Sequence, residues 1–249
     1  LRDQILSLVE KQILHTNIED CVYHLFGHAS SKVFNLNIPE NILELLQNKD
    51  ADCSIFATVI DKKEKDIFNC QIIWPPNEDP RLLIHCVQKK FKKRECKLKI
   101  KWMVIGYDLN FNFNYSDFNV KLKVLKNVFN TSNYQASKSL DLEYDPLVLC
   151  FGIPVLNKLD PSNNSLVIGH HFFNDKENRK IGPYLFSYCL EKKHHVNLPD
   201  FTFHTLIISN YPYSDNYGIL SFKRSNKISN LLNFNLKPNP KFNRETKTS

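Results

Sequence analysis

Over the first fifty positions the apolar residues recur at helical intervals. Leu1, Ile5, Leu8 and Val9, followed by Ile13 and Leu14, predict an amphipathic helix over residues 1–14. A stripe of this kind buries one side against a partner, as the end of a coiled coil does. Ile18, Val22 and Leu25 follow at i, i+4 and i+7 behind Thr16 or Asn17 as a cap, with Gly27 near the end, and predict a second helix. Pro39 suits the start of a third helix over residues 40–47, whose Ile42, Leu43, Leu45 and Leu46 share a side.

After Asp50 the spacing shortens to two. Strands are expected over residues 53–60, 66–74 and 97–107, with the charged stretch 61–65 as a hairpin connection. Residues 110–115 alternate asparagine with aromatic side chains, which is again period two. Trp74-Pro75-Pro76-Asn77-Glu78-Asp79-Pro80 must leave the sheet, because its prolines remove backbone donors. Residues 81–93 read as a helix with Leu82, Leu83 and Val87 inward and lysines outward, while 120–129 fits a strand and a helix equally well.

The polar stretch 131–141 reads as a linker. Beyond it strands are expected over 142–155, 165–173, 201–209 and 218–223. A helix is expected over 183–193, where Tyr184, Phe186, Tyr188 and Leu190 form i, i+4 pairs, and 235–249 reads as a flexible basic tail. The expected fold class is therefore α+β: a helical N-terminus followed by two modules with mainly antiparallel sheets, 1–130 and 142–234.

Composition adds exclusions. At 249 residues with 42% hydrophobic and 12% aromatic side chains, the chain can bury a sizeable core and is not a disordered polymer. Its six glycines stand apart, so no phosphate-cradling Walker, Rossmann or kinase loop is present. No apolar run reaches the roughly 20 residues of a membrane span, and residues 1–30 lack the pattern of a signal peptide. Seven cysteines without a C-x-x-C pair read as reduced thiols of a soluble, intracellular protein.

Charge changes the picture more. Lys89, Lys90, Lys92, Lys93, Arg94, Lys97, Lys99 and Lys101 against Glu95 make residues 89–101 carry +7, the net charge of the whole chain. A second basic stretch follows Ser221. Such clusters meet phosphate backbones or acidic protein and lipid surfaces, and Phe91 and Trp102 beside the first could stack bases. The bland account is a solvated strand face: in Lys97-Leu98-Lys99-Ile100-Lys101-Trp102 the lysines alternate with apolar residues, and lysine commonly protects strand edges.

Candidate chemistry is sparse. His170, His171, Cys189, His194, His195 and His204 offer donors for a metal-dependent hydrolase, yet no second spaced pair completes a zinc pattern. Glu95-Cys96-Lys97 with Asp66 or Asp79 has only the outline of a nuclease site, and no nucleophile elbow occurs. Tyr211, Tyr213 and Tyr217 in a turn-rich segment suit a protein interface.

Together these features favour a non-catalytic interaction or scaffold subunit of a larger nuclear assembly, without cofactor or metal. Leu1, Ile5 and Leu8 with the tyrosine-rich loop would hold protein partners, and the basic segment would face a negatively charged one. Direct RNA or DNA binding through residues 89–101 is the first alternative, and a metal-dependent hydrolase the second.

Overall fold

The computed structural model describes residues 10–63, 66–87, 93–109, 120–130, 132–140, 148–158, 165–175 and 180–210. The chain divides into two units, Leu1–Tyr217 and Gly218–Ser249, and all the described residues belong to the first. In chain order they form β1 (Gln12–Leu25), β2 (Ser31–Asn35), α1 (Glu40–Gln47), β3 (Ser54–Asp61), β4 (Ile67–Ile73), β5 (Arg81–Val87) and β6 (Arg94–Gly106). There follow β7 (Val120–Phe129), β8 (Gln135–Ser137), β9 (Leu149–Leu156), β10 (Leu166–Asp175), β11 (Lys180–Cys189) and β12 (Phe201–Asn210).

Three sheets result. Sheet I has the order β1-β6-β3, sheet II the order β2-β5-β4-β9-β12-β7, and sheet III the order β10-β11-β8. All pairings are antiparallel except β4 with β9, where Ile72 meets Val155 and Ile73 meets Leu156 in parallel. Sheet II is the middle layer. Its Ile72, Leu82, Ile84, Cys86, Ile153, Val155 and Leu206 pack against the inner face of sheet I, including Tyr23, Leu98, Ile100 and Trp102. Its opposite face presents Leu156, Phe201 and Phe203 to Ile168 of β10 and Leu185 of β11. Two amides of β4, Gln71 buried and Asn69 half-buried, secure that second layer: Gln71 Nε2 donates to the Leu166 carbonyl at 3.0 Å and Asn69 Nδ2 to the Ile168 carbonyl at 3.3 Å.

This architecture corrects the expected α+β class. The described residues are mostly strand with one α-helix, and the helical N-terminus is replaced from Gln12 by a 14-residue strand. In β1 the buried Cys21, Tyr23 and Leu25 alternate with the exposed Asp20, Val22 and His24, which is strand period. Residues 1–9, with Leu1, Ile5 and Leu8, lie outside the described residues. The helices expected over 81–93 and 183–193 are also wrong where the structure describes them. β5 is a strand buried on both sides, and β11 alternates buried Leu185, Ser187 and Cys189 with the partly exposed Tyr184, Phe186 and Tyr188.

Two separate modules are not observed either. Sheet II interleaves β2, β4 and β5 of the first half with β9 and β12 of the second, and β8 lies inside the stretch read as a linker. The single expected helix that forms is α1, which buries Ile42 in the larger core and leads through a 3-10 turn at Lys49–Ala51 into β3.

Candidate functional site

Sheet I has one face in the core and one in solvent. On β6, Cys96, Leu98, Ile100 and Trp102 point inward, which sends Lys97, Lys99 and Lys101 outward from the central strand. Alternate residues of a strand lie about 6.7 Å apart, so the three ammonium groups make a spine along the sheet. Register flanks it with aliphatics: Ile18 lies opposite Lys101 and Val22 opposite Lys97 on β1, while Ile60 lies opposite Lys99 on β3. These side chains are 59%, 40% and 41% exposed, respectively. Lys62 pairs with Asp20 at 2.8 Å and, with Lys99 nearby, holds that carboxyl below its usual range.

The remaining members of the basic segment divide. Lys93 is exposed just before β6, and Arg94 is taken by an ion pair to the buried carboxylate of Asp66. Lys89, Lys90 and Lys92, together with Phe91, lie outside the described residues, as do Tyr211, Tyr213 and Tyr217. Trp102 is not a stacking platform. It is 3% exposed, and its indole N–H donates to Oε1 of the half-buried Glu19 at 2.7 Å.

The six histidine and cysteine candidates do not converge. His170 faces Phe203 on one side of β10, while His171 lies against Tyr184 on the other. Cys189 Sγ contacts Ser165 Oγ at 3.3 Å, and His195 Nδ1 lies 2.8 Å from the Ser187 carbonyl oxygen. His194 lies in the turn after β11, and His204 stands on β12 across sheet II from sheet III. Among the described residues no three His, Cys, Asp or Glu side chains form a group able to hold a metal ion. All seven thiols are free, and burial raises Cys53 to about 11 and Cys70 to about 12.

Sequence reasoning missed a second feature. Asp52, in left-handed backbone at φ 42° after the 3-10 turn, is gripped by two distant lysines, Lys11 just before β1 and Lys126 of β7. Lys11 Nζ donates to Asp52 Oδ2 at 2.5 Å and Lys126 Nζ to Asp52 Oδ1 at 2.5 Å. Both lysines hold the Asp52 carboxyl below its usual range although burial opposes them. Burial lowers Lys11, whose side chain is 6% exposed. His204 sits opposite Lys126 in the β7–β12 pairing, and burial together with Lys126 pushes its imidazole down to about 3. Separations of 41 and 74 residues from Asp52 left no sequence signal for this cluster.

A cleft of about 600 Å³ opens on these groups, walled by the end of α1, by the Trp74–Pro80 loop and by the ends of β7, β9 and β12. Leu43, Leu46, Trp74 and Val155 give it apolar surface, and Asp52, Lys126 and His204 a polar end. No helix among the described residues is long and apolar enough to cross a membrane.

Residues 13–246 match a family described as Domain of unknown function (DUF7431). No curated protein and no solved structure matches the chain.

Proposed function

We propose, for a chain that belongs to the DUF7431 family and whose family description carries no activity, that it is a non-catalytic interaction subunit of a larger intracellular, nuclear assembly. Its open sheet I face would bind an acidic protein partner. One observation carries this reading: Lys97, Lys99 and Lys101 form an outward spine flanked by exposed Ile18, Val22 and Ile60.

Large exposed aliphatics beside charges suit a protein surface that alternates acidic and apolar side chains, because both kinds of contact are then used. A phosphate backbone would use the lysines alone. Bases are bound by stacking on aromatic side chains, and the one aromatic of this segment that the structure describes, Trp102, is turned into the core. Seven free cysteines support the intracellular part of the proposal.

The test is fluorescence anisotropy with the full chain, using a labelled peptide of alternating Glu and Leu and labelled single-stranded RNA and DNA across a salt series. The expected result is peptide binding that weakens at least tenfold in the triple variant Lys97→Gln/Lys99→Gln/Lys101→Gln. Ile18→Ser/Ile60→Ser should weaken it as well, while nucleic acid binds less tightly than the peptide. Unfolding midpoints accompany each variant. Nucleic acid bound more tightly, with a log K against log salt slope flattened by about 2 in the triple variant, would transfer the reading to direct RNA or DNA binding. Peptide affinity unchanged in folded variants, or no binding, would refute the proposed face.

A further inference from the structure

The charge cluster under the α1 cleft is unbalanced. Lys11 and Lys126 both donate to Asp52, so two ammonium groups share one carboxylate and the cluster keeps a positive charge in excess. Lys11 is nearly sealed from water, whereas Lys126 is 33% exposed and lines the cleft. Lys126 Nζ spends two of its three N–H groups, on Asp52 Oδ1 and on the Cys53 carbonyl at 2.9 Å. Beside it His204 is 5% exposed, and its Nδ1 has no hydrogen-bond partner, a condition that buried polar atoms seldom hold without a reason.

Elsewhere the lining mixes Leu43, Leu46, Trp74 and Val155 with polar side chains that include Lys49 and Asn157. Glu78 and Asp79 stand in the loop wall, where Arg81 already takes Glu78 at 3.0 Å. A concave space that joins apolar side chains to a few convergent polar groups is a form that small-molecule sites take.

We propose that this cleft binds a small organic monocarboxylate, its carboxylate beside Lys126 and His204 and its apolar body against Trp74, Leu43 and Leu46. The Lys11–Lys126–Asp52 group has one positive charge in excess, Lys49 and Asp79 elsewhere in the lining offset each other, and one carboxylate matches that excess. A dianionic phosphate would overcompensate it and leave Trp74, Leu43 and Leu46 without a partner, and a cationic amphiphile would meet the excess charge with its own sign. Partial shielding from water by α1 and the 74–80 loop strengthens the ion contact above what an exposed lysine gives.

The chain holds two tryptophans, one in the cleft and one in the core, and this supplies the assay. In the ¹⁵N-labelled 249-residue chain, the Trp74 indole resonance is followed while phenylacetate, benzyl alcohol, phenethylamine or inorganic phosphate is added. Trp102, sealed against Glu19, serves as the internal control of folding.

Phenylacetate is expected to move Trp74 and leave Trp102 in place, with benzyl alcohol at least tenfold weaker and phosphate without effect on Trp74. Lys126→Gln should weaken phenylacetate at least tenfold and leave benzyl alcohol within twofold. Lys126→Arg, which keeps the charge, should stay within threefold of the native chain. Phenylacetate without effect on Trp74, equal affinity in Lys126→Gln with Trp102 unmoved, or tighter binding of phenethylamine or phosphate would overturn the proposal. If Lys126→Gln disturbs Trp102 itself, the comparison with Lys126→Arg and with benzyl alcohol on the native chain decides alone.

Discussion

Lowering the pH should destabilise this protein through His204 and His170 before its carboxylates protonate. Burial, with Lys126 nearby, holds His204 at about 3, and burial holds His170 at about 4, while an unfolded histidine titrates near 6.5. Both native values are depressed, so the stabilising balance is fully present above pH 6.5 and is lost as pH falls toward the native values, where only the unfolded chain takes up the protons. Fully developed, each such group changes stability by about 1.4 kcal/mol per pH unit. Carried from pH 7.5 to 4.5, this makes about 3 kcal/mol for His204, which is 5% exposed. His170 is only partly buried and is assigned about 1–2 kcal/mol over the same interval. A loss of about 4 kcal/mol is a large share of the roughly 5–15 kcal/mol by which such a domain is stable. Urea unfolding at pH 7.5, 6.5, 5.5 and 4.5 measures it directly, and His204→Gln should remove more than half of the slope whatever its effect on absolute stability. Stability that stays flat from pH 7.5 to 5.5, or a slope untouched by His204→Gln, would refute the reasoning.

Two further perturbations test the packing. Asp52→Asn leaves the 6% exposed Lys11 ammonium without its counter-charge; breaking a buried pair costs about 3–5 kcal/mol, and because Asp52 is 47% exposed the expected loss is about 2 kcal/mol. Adding Lys11→Met should restore at least half of it in urea unfolding, and a single-variant change below about 0.5 kcal/mol would show the cluster to be well solvated. At Gly152 a Cβ would overlap the ring of the fully buried Phe203 and come within 3.0 Å of His170 Nε2. Gly152→Ala should therefore cost about 1–3 kcal/mol by overpacking, and a native-like melting temperature would mean that sheets II and III separate easily.

The sequence by itself determined the elements whose pattern had one meaning. β3, β4 and β6 alternate or run apolar between clear turn signals, α1 begins behind Pro39, and both the reduced thiols and the lysine spacing of β6 follow from residue order alone. β5 misled because a strand covered on both faces carries a continuous apolar run, which periodicity cannot distinguish from a buried helix. β11 misled because Tyr184 and Tyr188 are spaced both i, i+4 for a helix and two alternations for a strand.

β1 is the instructive failure. Its inward residues Cys21, Tyr23 and Leu25 keep strict alternation, but Ile18 and Val22 are apolar on the wet side, and their four-residue spacing imitated a helix. The residues that broke the pattern are those proposed to meet a partner, as expected where a surface serves something other than folding.

Tertiary structure alone decided three things: that Trp102 turns inward while the lysines turn out, that the two halves of the chain share one central sheet, and that Lys11 and Lys126 converge on Asp52. Each depends on which distant strands become neighbours. Local spacing sets only the face a side chain takes within its own strand, and what stands opposite that face comes from pairings tens of residues away.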